Sequence, residues 1–335
     1  MTARRSHEPK PVDLRPPPEL PPGGGLLLVD KPAGCTSHDV VSRLRYVLRT
    51  KKIGHAGTLD PMATGLLVLA VDRSTKLLGH LALTDKTYLA TIRLGQQTDT
   101  DDADGAVIAA AAAVTHIDDD AIRTGIAALT GDLLQVPSSV SAIKVDGRRA
   151  YDLVRSGETV QLAARPVTVS RFEIIGSPRH SEKTIDLDVA VDCTTGTYVR
   201  SLARDLGAAL GIGGHLTRLR RTRVGPFDLA DAVDVFGPAI AASDAGNGPP
   251  RLPVTEEYAA QIASAIVPAI DAVRQAFPVR TMDAQQALDL QHGRFSSAAG
   301  ITGTYGALGP DGTLVALAQD RDGQSRSVLG WRTGG

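Results

Sequence analysis

Cysteine is nearly absent from this chain. Cys35 and Cys193 are too few and too isolated for a disulfide framework or a zinc site, and they read as reduced thiols of a cytoplasmic protein with no metal cofactor. Long apolar runs are missing too: none approaches the roughly 18–20 residues of a membrane helix. The N-terminus has no apolar segment of the kind that marks a secretion signal. Its first 22 residues hold seven prolines, which points to a disordered or polyproline-like tail over residues 1–23. There is no P-loop, no G-x-G-x-x-G after a strand, no G-x-S-x-G and no H-E-x-x-H. Nucleotide hydrolysis, triad hydrolysis and zinc proteolysis therefore lack support. Aromatics make up only 4% of the residues, so each tyrosine carries weight.

What the chain does have is ordinary globular composition and a segregated charge. Its 335 residues, 42% hydrophobic and 22% charged, suffice for one large core or two unequal domains. The net charge is −1, yet Arg43, Arg45, Arg49, Lys51 and Lys52 face only Asp39 between Ser37 and Gly57. His215 to Arg223 holds four arginines and no acid, whereas Asp99 to Asp120 holds seven aspartates and no Lys or Arg. Taken singly, such clusters are often solvated helix faces. Two of them flanking unusual loops suggest a basic face for a polyanion.

The periodicity predicts a short buried strand in "GLLLVDK" and an amphipathic helix from about Ser37, capped by Thr36 or Ser37. A buried strand "GLLVLAV", a helix from about Ser74 to Leu83, a strand "KTYLATIRLG" and a helix from about Asp118 to Leu129 follow. "SAIKVDGRRAYDLVRSG" reads as strand, turn and helix; "PVTVSRFEIIG" and "TIDLDVAVDC" read as strands, and "TTGTYVRSLARDLGAALG" as a turn and helix. The stretch "FGPAIAASDAGNGPPRLPVTEEY" reads as a linker, and the Pro-Asp-Gly near the C-terminus as a hairpin turn in a small β-rich unit. The strand and helix runs are too irregular for a βαβ repeat, so the expected class is α+β (mixed α/β) with a substantial antiparallel sheet.

One loop stands out, "KKIGHAGTLDPMATGLLVLAV", in which Asp60 precedes the core strand. Pro61 pushes Asp60 toward extended backbone, and the glycines allow tight turns. Asp60 is then either the organiser of an Asx-turn or a nucleophile or general base held at a cleft. The second role needs a nearby cation to keep a desolvated carboxylate ionised. Arg200 and Arg204, one helical turn apart in "TGTYVRSLARD", are the candidates, and periodicity does not choose between them. Tyr88 and Tyr198 offer flat faces for a base or pack in the core. His55 could stack or wedge, shuttle a proton, or hydrogen-bond within the loop.

In series, "LLLVDKPAGCTSHDVV", "KIGHAGTLDPMATGLLVLAV", "DKTYLATIRLGQQTDTDDADG", "PSSVSAIKVDGRRAYDLVRSG" and "CTTGTYVRSLARDLG" resemble the TruB family of bacterial tRNA pseudouridine-55 synthases, from about Gly25 to Phe227. The resemblance implies a pseudouridine synthase fold with a large mixed, mainly antiparallel sheet and a central cleft. It implies a catalytic domain at 24–250, a linker or helix at 251–280 and a PUA-like RNA-binding domain at 281–335. The substrate would be the T arm of tRNA, with no cofactor, no metal, no membrane and no protein partner, and the chain would act as a monomer in the cytoplasm. Asp60 would be the catalytic carboxylate, Arg200 its ion-pair partner and Tyr88 the residue stacking on the target uracil. His55 would fill the space left by the flipped base, Lys31 would be a further cleft residue, Tyr198 would contact substrate, Leu219 would wall the uracil pocket, and Arg221 would be a basic contact nearby.

Overall fold

A computed structural model of the protein describes residues 15–82, 84–138, 144–145, 148–149, 162–236 and 254–331. Its centre is an eleven-stranded sheet. The main path runs Val267–Pro268, Gly25–Lys31, Thr64–Val71, Gly214–Val224, Lys86–Leu94, Ile185–Cys193, Arg165–Ile174 and Gly131–Gln135. Each pairing along that path is antiparallel except one, where Gly214–Val224 lies parallel to Thr64–Val71 with Arg221 opposite Gly65. The α+β class and the large, mainly antiparallel sheet are as the sequence predicts.

The continuous apolar run "GLLVLAV" has a physical reason. Leu67, Leu69 and Val71 point into one core with Val40, Val41 and Leu44 of the helix Ser37–Val47. Leu66, Val68 and Ala70 point the other way, into a second core with Leu308, Leu314, Leu317 and Trp331. A strand covered on both faces has no polar side to display. The second core also joins the large sheet to a five-stranded C-terminal sheet, ordered Val279–Thr281, Thr304–Leu308, Leu314–Arg321, Gln324–Gly330 and Ser296–Ser297. The Pro-Asp-Gly turn lies between two of its strands, Thr304–Leu308 and Leu314–Arg321, which pair antiparallel.

Several local expectations change. Ile53–Ala56 is a strand paired with Thr64–Val71, so the loop proper shrinks to residues 57–63. The helix expected at 74–83 is a 3-10 turn, Asp72–Leu77, and one helical turn, Leu78–Leu81; Lys86 then donates to the Ala82 carbonyl at 3.2 Å. In "SAIKVDGRRAYDLVRSG", Lys144–Val145 pairs with Arg148–Arg149, while the expected helix lies outside the described residues. Residues 1–14 of the expected tail and 237–253 of the expected linker also lie outside them. Arg15 stacks on Tyr46, at 5.4 Å from the ring centroid, so the chain is already anchored there. The helix Glu256–Ser264 and the short strand Val267–Pro268 follow, the latter extending the large sheet beside Gly25 and Leu26.

The basic clusters also read differently in three dimensions. Arg43 is buried, with its Nε donating to the Val235 carbonyl and its guanidinium over Tyr258. Arg220 pairs with Asp30 at 2.6 Å, and Arg223 lies 3.9 Å from Asp192. Arg221 is fully buried. Arg45, Arg49, Lys51, Lys52 and Arg218 remain exposed, and Lys52 meets Asp72 at 3.1 Å. No helix among the described residues is long and apolar enough to cross a membrane.

Candidate active site

The loop 57–63 is held from four directions. Ser37, buried at the start of its helix, donates its hydroxyl to the Leu59 carbonyl and accepts the Leu59 N–H at 2.9 Å. Gly34 N–H reaches the Pro61 carbonyl at 2.9 Å. Lys31, with no exposed surface, donates to the carbonyls of Cys35 (2.7 Å), Pro32 (2.9 Å) and Pro61 (3.3 Å). From below, Arg221 donates to the carbonyls of Leu66 (2.8 Å) and Gly57 (3.0 Å). Two glycines make this possible. Gly57 adopts φ +79° above the Arg221 guanidinium, and Gly65 adopts φ +98° where a Cβ would stand 2.2 Å from the Arg221 carbonyl oxygen. Only glycine fits a left-handed backbone at that close approach.

Held in this way, Asp60 presents its carboxylate to the helix Val199–Ala209. Arg200 Nε stands 3.0 Å from Asp60 Oδ2, and the Arg200 side chain is only 3% exposed. Its Nη1 donates to the Thr100 carbonyl at 2.8 Å and to Ser138 Oγ at 3.1 Å. Arg204, the competing candidate, turns instead to Asp205 (2.9 Å) and Asp101 (3.5 Å). A residue that sequence reasoning missed shares the cation: Asp102 Oδ2 lies 3.6 Å from Arg200 Nε. The acidic stretch is brought there because Leu216 N–H donates to the Asp101 carbonyl and docks it on Gly214–Val224. The "DTDDADG" sequence gave no signal that one of its acids meets Arg200.

Sharing has an electrostatic consequence. Burial pushes the Asp60 carboxyl above the ordinary aspartate range; Arg200 opposes that shift, and Asp102 reinforces it. Arg200 opposes protonation as expected, but burial outweighs it, so the net shift is upward. A third of the Asp60 side chain still opens to the cleft.

The cleft next to Asp60 is a cavity of about 250 Å³. Tyr88, Tyr198, Arg200, Leu219 and Arg221 line it together with Asp60. Tyr88 is 7% exposed, and burial raises its phenol pKa. Lys86, also on the wall, has its ammonium pushed down to about 8, first by burial and then by Arg221. Two expected site residues lie elsewhere. Lys31 sits beneath the loop as a brace and does not line the cavity. His55 is half-buried on the strand Ile53–Ala56, off the cavity wall, and burial lowers its pKa, so it is neutral near pH 7. Arg221 faces the cavity, but its two carbonyl bonds make it a support of the loop. Among the described residues no cluster of His, Cys, Asp or Glu could hold a metal ion.

Three family models match the chain. Residues 45–199 match the model of the TruB family pseudouridylate synthase N-terminal domain. Residues 200–236 match that of the tRNA pseudouridylate synthase B C-terminal domain, and 277–332 that of tRNA pseudouridine synthase II, C terminal. A protein of Nocardia farcinica named tRNA pseudouridine synthase B is 54% identical over 308 residues, which is 92% of this chain and 93% of the relative. Its namesake in Rhodococcus jostii is 53% identical over 308 residues, again 92% of this chain and 93% of the relative. Among solved structures, a chain of a Cbf5-Nop10-Gar1 complex superposes with a TM-score of 0.63 at 24% identity, covering 96% of this chain and 91% of that one, a likeness of fold. Identity of this extent over nine-tenths of both sequences leaves one conclusion: the chain belongs to the TruB family of pseudouridylate synthases.

Proposed function

We propose that this enzyme isomerises uridine 55 in the T loop of tRNA to pseudouridine, with Asp60 as the catalytic carboxylate. The observation that carries the reading is the Asp60–Arg200 pair at 3.0 Å, its arginine buried, on the wall of a small cavity that also holds Tyr88. The tRNA substrate follows from the names of its relatives. The N1–C1′ bond breaks, the uracil turns, C5 joins C1′, and the C5 proton is lost while N1 gains one. Nothing is oxidised and no group is added, so the stoichiometry calls for no co-substrate or cofactor. Asp60 serves as nucleophile or base, and Tyr88, with Leu219 beside it, keeps the detached ring from leaving.

A base in a folded RNA loop reaches such a cavity only when flipped out, at a cost of roughly a few kcal/mol. Exposed Arg45, Arg49, Lys51 and Arg218 offer phosphate contacts that offset it, so binding weakens as salt rises. RNA is read here by loop shape and splayed bases, and His55, just before the catalytic loop, fills the space the base vacates. Residues 24–250 form the catalytic unit, 251–280 the connection, and 281–335 a PUA-like RNA-binding unit. The enzyme works as a monomer in the cytoplasm.

The test is tritium release from C5-labelled uridine in a T-arm hairpin and in full tRNA. Wild type releases the label; Asp60→Asn binds RNA and releases none. Full activity in Asp60→Asn would overturn the assignment.

A further inference from the structure

We propose that the segment Gln135–Ser138 is a positioning element for the catalytic cation, with Gln135 setting the start of the helix that carries Arg200 and Ser138 setting the Arg200 guanidinium. The inference rests on the pseudouridine synthase reading above and adds residues to it that do not touch the reacting base.

Gln135 ends the strand Gly131–Gln135, at the end of the large sheet's main path, and is only 4% exposed. A buried amide is costly unless both of its ends are bonded. Both are, and both go to one residue: Nε2 donates to the Tyr198 carbonyl at 3.1 Å, and Oε1 accepts the Tyr198 N–H at 2.8 Å. Tyr198 is the N-cap of the helix Val199–Ala209, and its side chain makes no capping bond. The usual device at this position is the side-chain oxygen of a Ser, Thr, Asp or Asn. Here a side chain more than sixty residues upstream grips the cap by its backbone. Two bonds to one residue fix the orientation of its peptides as well as their place. Tyr198 lines the cavity, and Arg200 follows two residues later.

Val136 and Ser138 extend the grip along the same helix. Arg204 Nη2 donates to the Val136 carbonyl at 2.8 Å. Ser138, with no exposed surface, accepts from Arg200 Nη1 at 3.1 Å and donates to the Thr100 carbonyl at 3.3 Å. Thr100 O is also an acceptor for Arg200 Nη1. The guanidinium is thus held on one edge by Ser138 and Thr100, which leaves Nε aimed at Asp60 and Asp102. Nothing in this segment is placed to touch the reacting atoms, since neither Gln135 nor Ser138 lines the cavity. Its effect therefore reaches the reaction through Tyr198 and Arg200.

The experiment compares full-length wild type, Gln135→Met and Ser138→Ala, with single-turnover tritium release and tRNA affinity measured separately. Gln135→Met keeps the side-chain length but leaves the Tyr198 N–H and carbonyl without their partner. Ser138→Ala removes a single oxygen. Misplacement of a catalytic group by a fraction of an ångström to about 1 Å costs up to roughly 100-fold. The expected result is a rate lowered about 10- to 100-fold in each variant with tRNA affinity unchanged, the mark of a group that positions and does not bind substrate. Gln135→Glu, which keeps the acceptor for Tyr198 N–H and loses the donor, falls between wild type and Gln135→Met. Wild-type rates in both Gln135→Met and Ser138→Ala overturn the inference, as does a loss confined to tRNA affinity. If Gln135→Met does not fold, Ser138→Ala decides alone: a lowered rate at unchanged affinity supports the element, and a wild-type rate refutes it. A wild-type protein that releases no tritium sinks the functional reading itself, so the two failures are distinct.

Discussion

Replacing Arg200 with Met tests the electrostatics of the site most directly. The side chain is 3% exposed, with carboxylate oxygens 3.0 Å and 3.6 Å from its Nε. At an effective dielectric constant of about 20, Coulomb's law gives roughly 5 kcal/mol for the nearer pair. A third of Asp60 faces solvent, so screening reduces the effective value to about 2–4 kcal/mol. Methionine keeps much of the volume and removes all of that attraction. Asp60, already above its ordinary value of 3.8 because of burial, then holds its proton still more tightly. At neutral pH the ionised fraction falls, and the single-turnover rate drops by up to roughly 30- to 1000-fold, the limit that energy sets. The acid limb of the pH–rate profile moves alkaline, so part of the loss is recovered as the pH rises.

Stability in Arg200→Met follows the same sign. A folded-state pKa raised above the unfolded one means that the folded protein binds more protons. Its contribution is fully present below the unfolded value and is lost as pH rises through the folded one. Thermal midpoints of the variant measured across that window should therefore fall with rising pH more steeply than those of wild type. An acid limb that stays where wild type has it, with the rate lowered by one factor at every pH, would show that Arg200 does not set the protonation of Asp60.

Two other substitutions probe the mount. Gly65→Ala places a methyl 2.2 Å from the Arg221 carbonyl oxygen on a left-handed backbone and should cost roughly 2–5 kcal/mol in urea unfolding; an unchanged midpoint would show that the strands part easily there. Lys31→Met leaves three carbonyls, that of Pro61 in the loop 57–63 and those of Pro32 and Cys35, without their donor and should lower stability by about 1–3 kcal/mol, with the rate of tritium release falling more than tRNA affinity. Loss of affinity alone would return Lys31 to the role of a substrate contact.

The structure also refines how charge in this chain should be read. His215 to Arg223 looked like an uncompensated basic stripe because its acids come from other segments: Asp30 for Arg220 and Asp192 for Arg223. Arg43, counted with the basic residues between Ser37 and Gly57, is buried against Val235 and Tyr258. Local composition counts neighbours along the chain, whereas pairing depends on neighbours across a sheet. The cations left for RNA are accordingly fewer than the sequence suggests.

By itself, the sequence determined what is local. The covered strand "GLLVLAV" showed in its unbroken apolar run, the helix Ser37–Val47 in its spacing and a cap at Thr36 or Ser37, and the constrained carboxylate Asp60 in its glycines and Asp-Pro. Five ordered motifs were enough to suggest the family. What pairs with what was decided by tertiary structure alone. Arg200 over Arg204 depends on which side of one helix meets the loop, and Asp102 enters because its segment docks on a strand more than a hundred residues away. Lys31 becomes a brace, and Gln135 comes to grip Tyr198, because the sheet order brings them there. Periodicity records which face of an element is apolar; it does not record which distant element that face will meet.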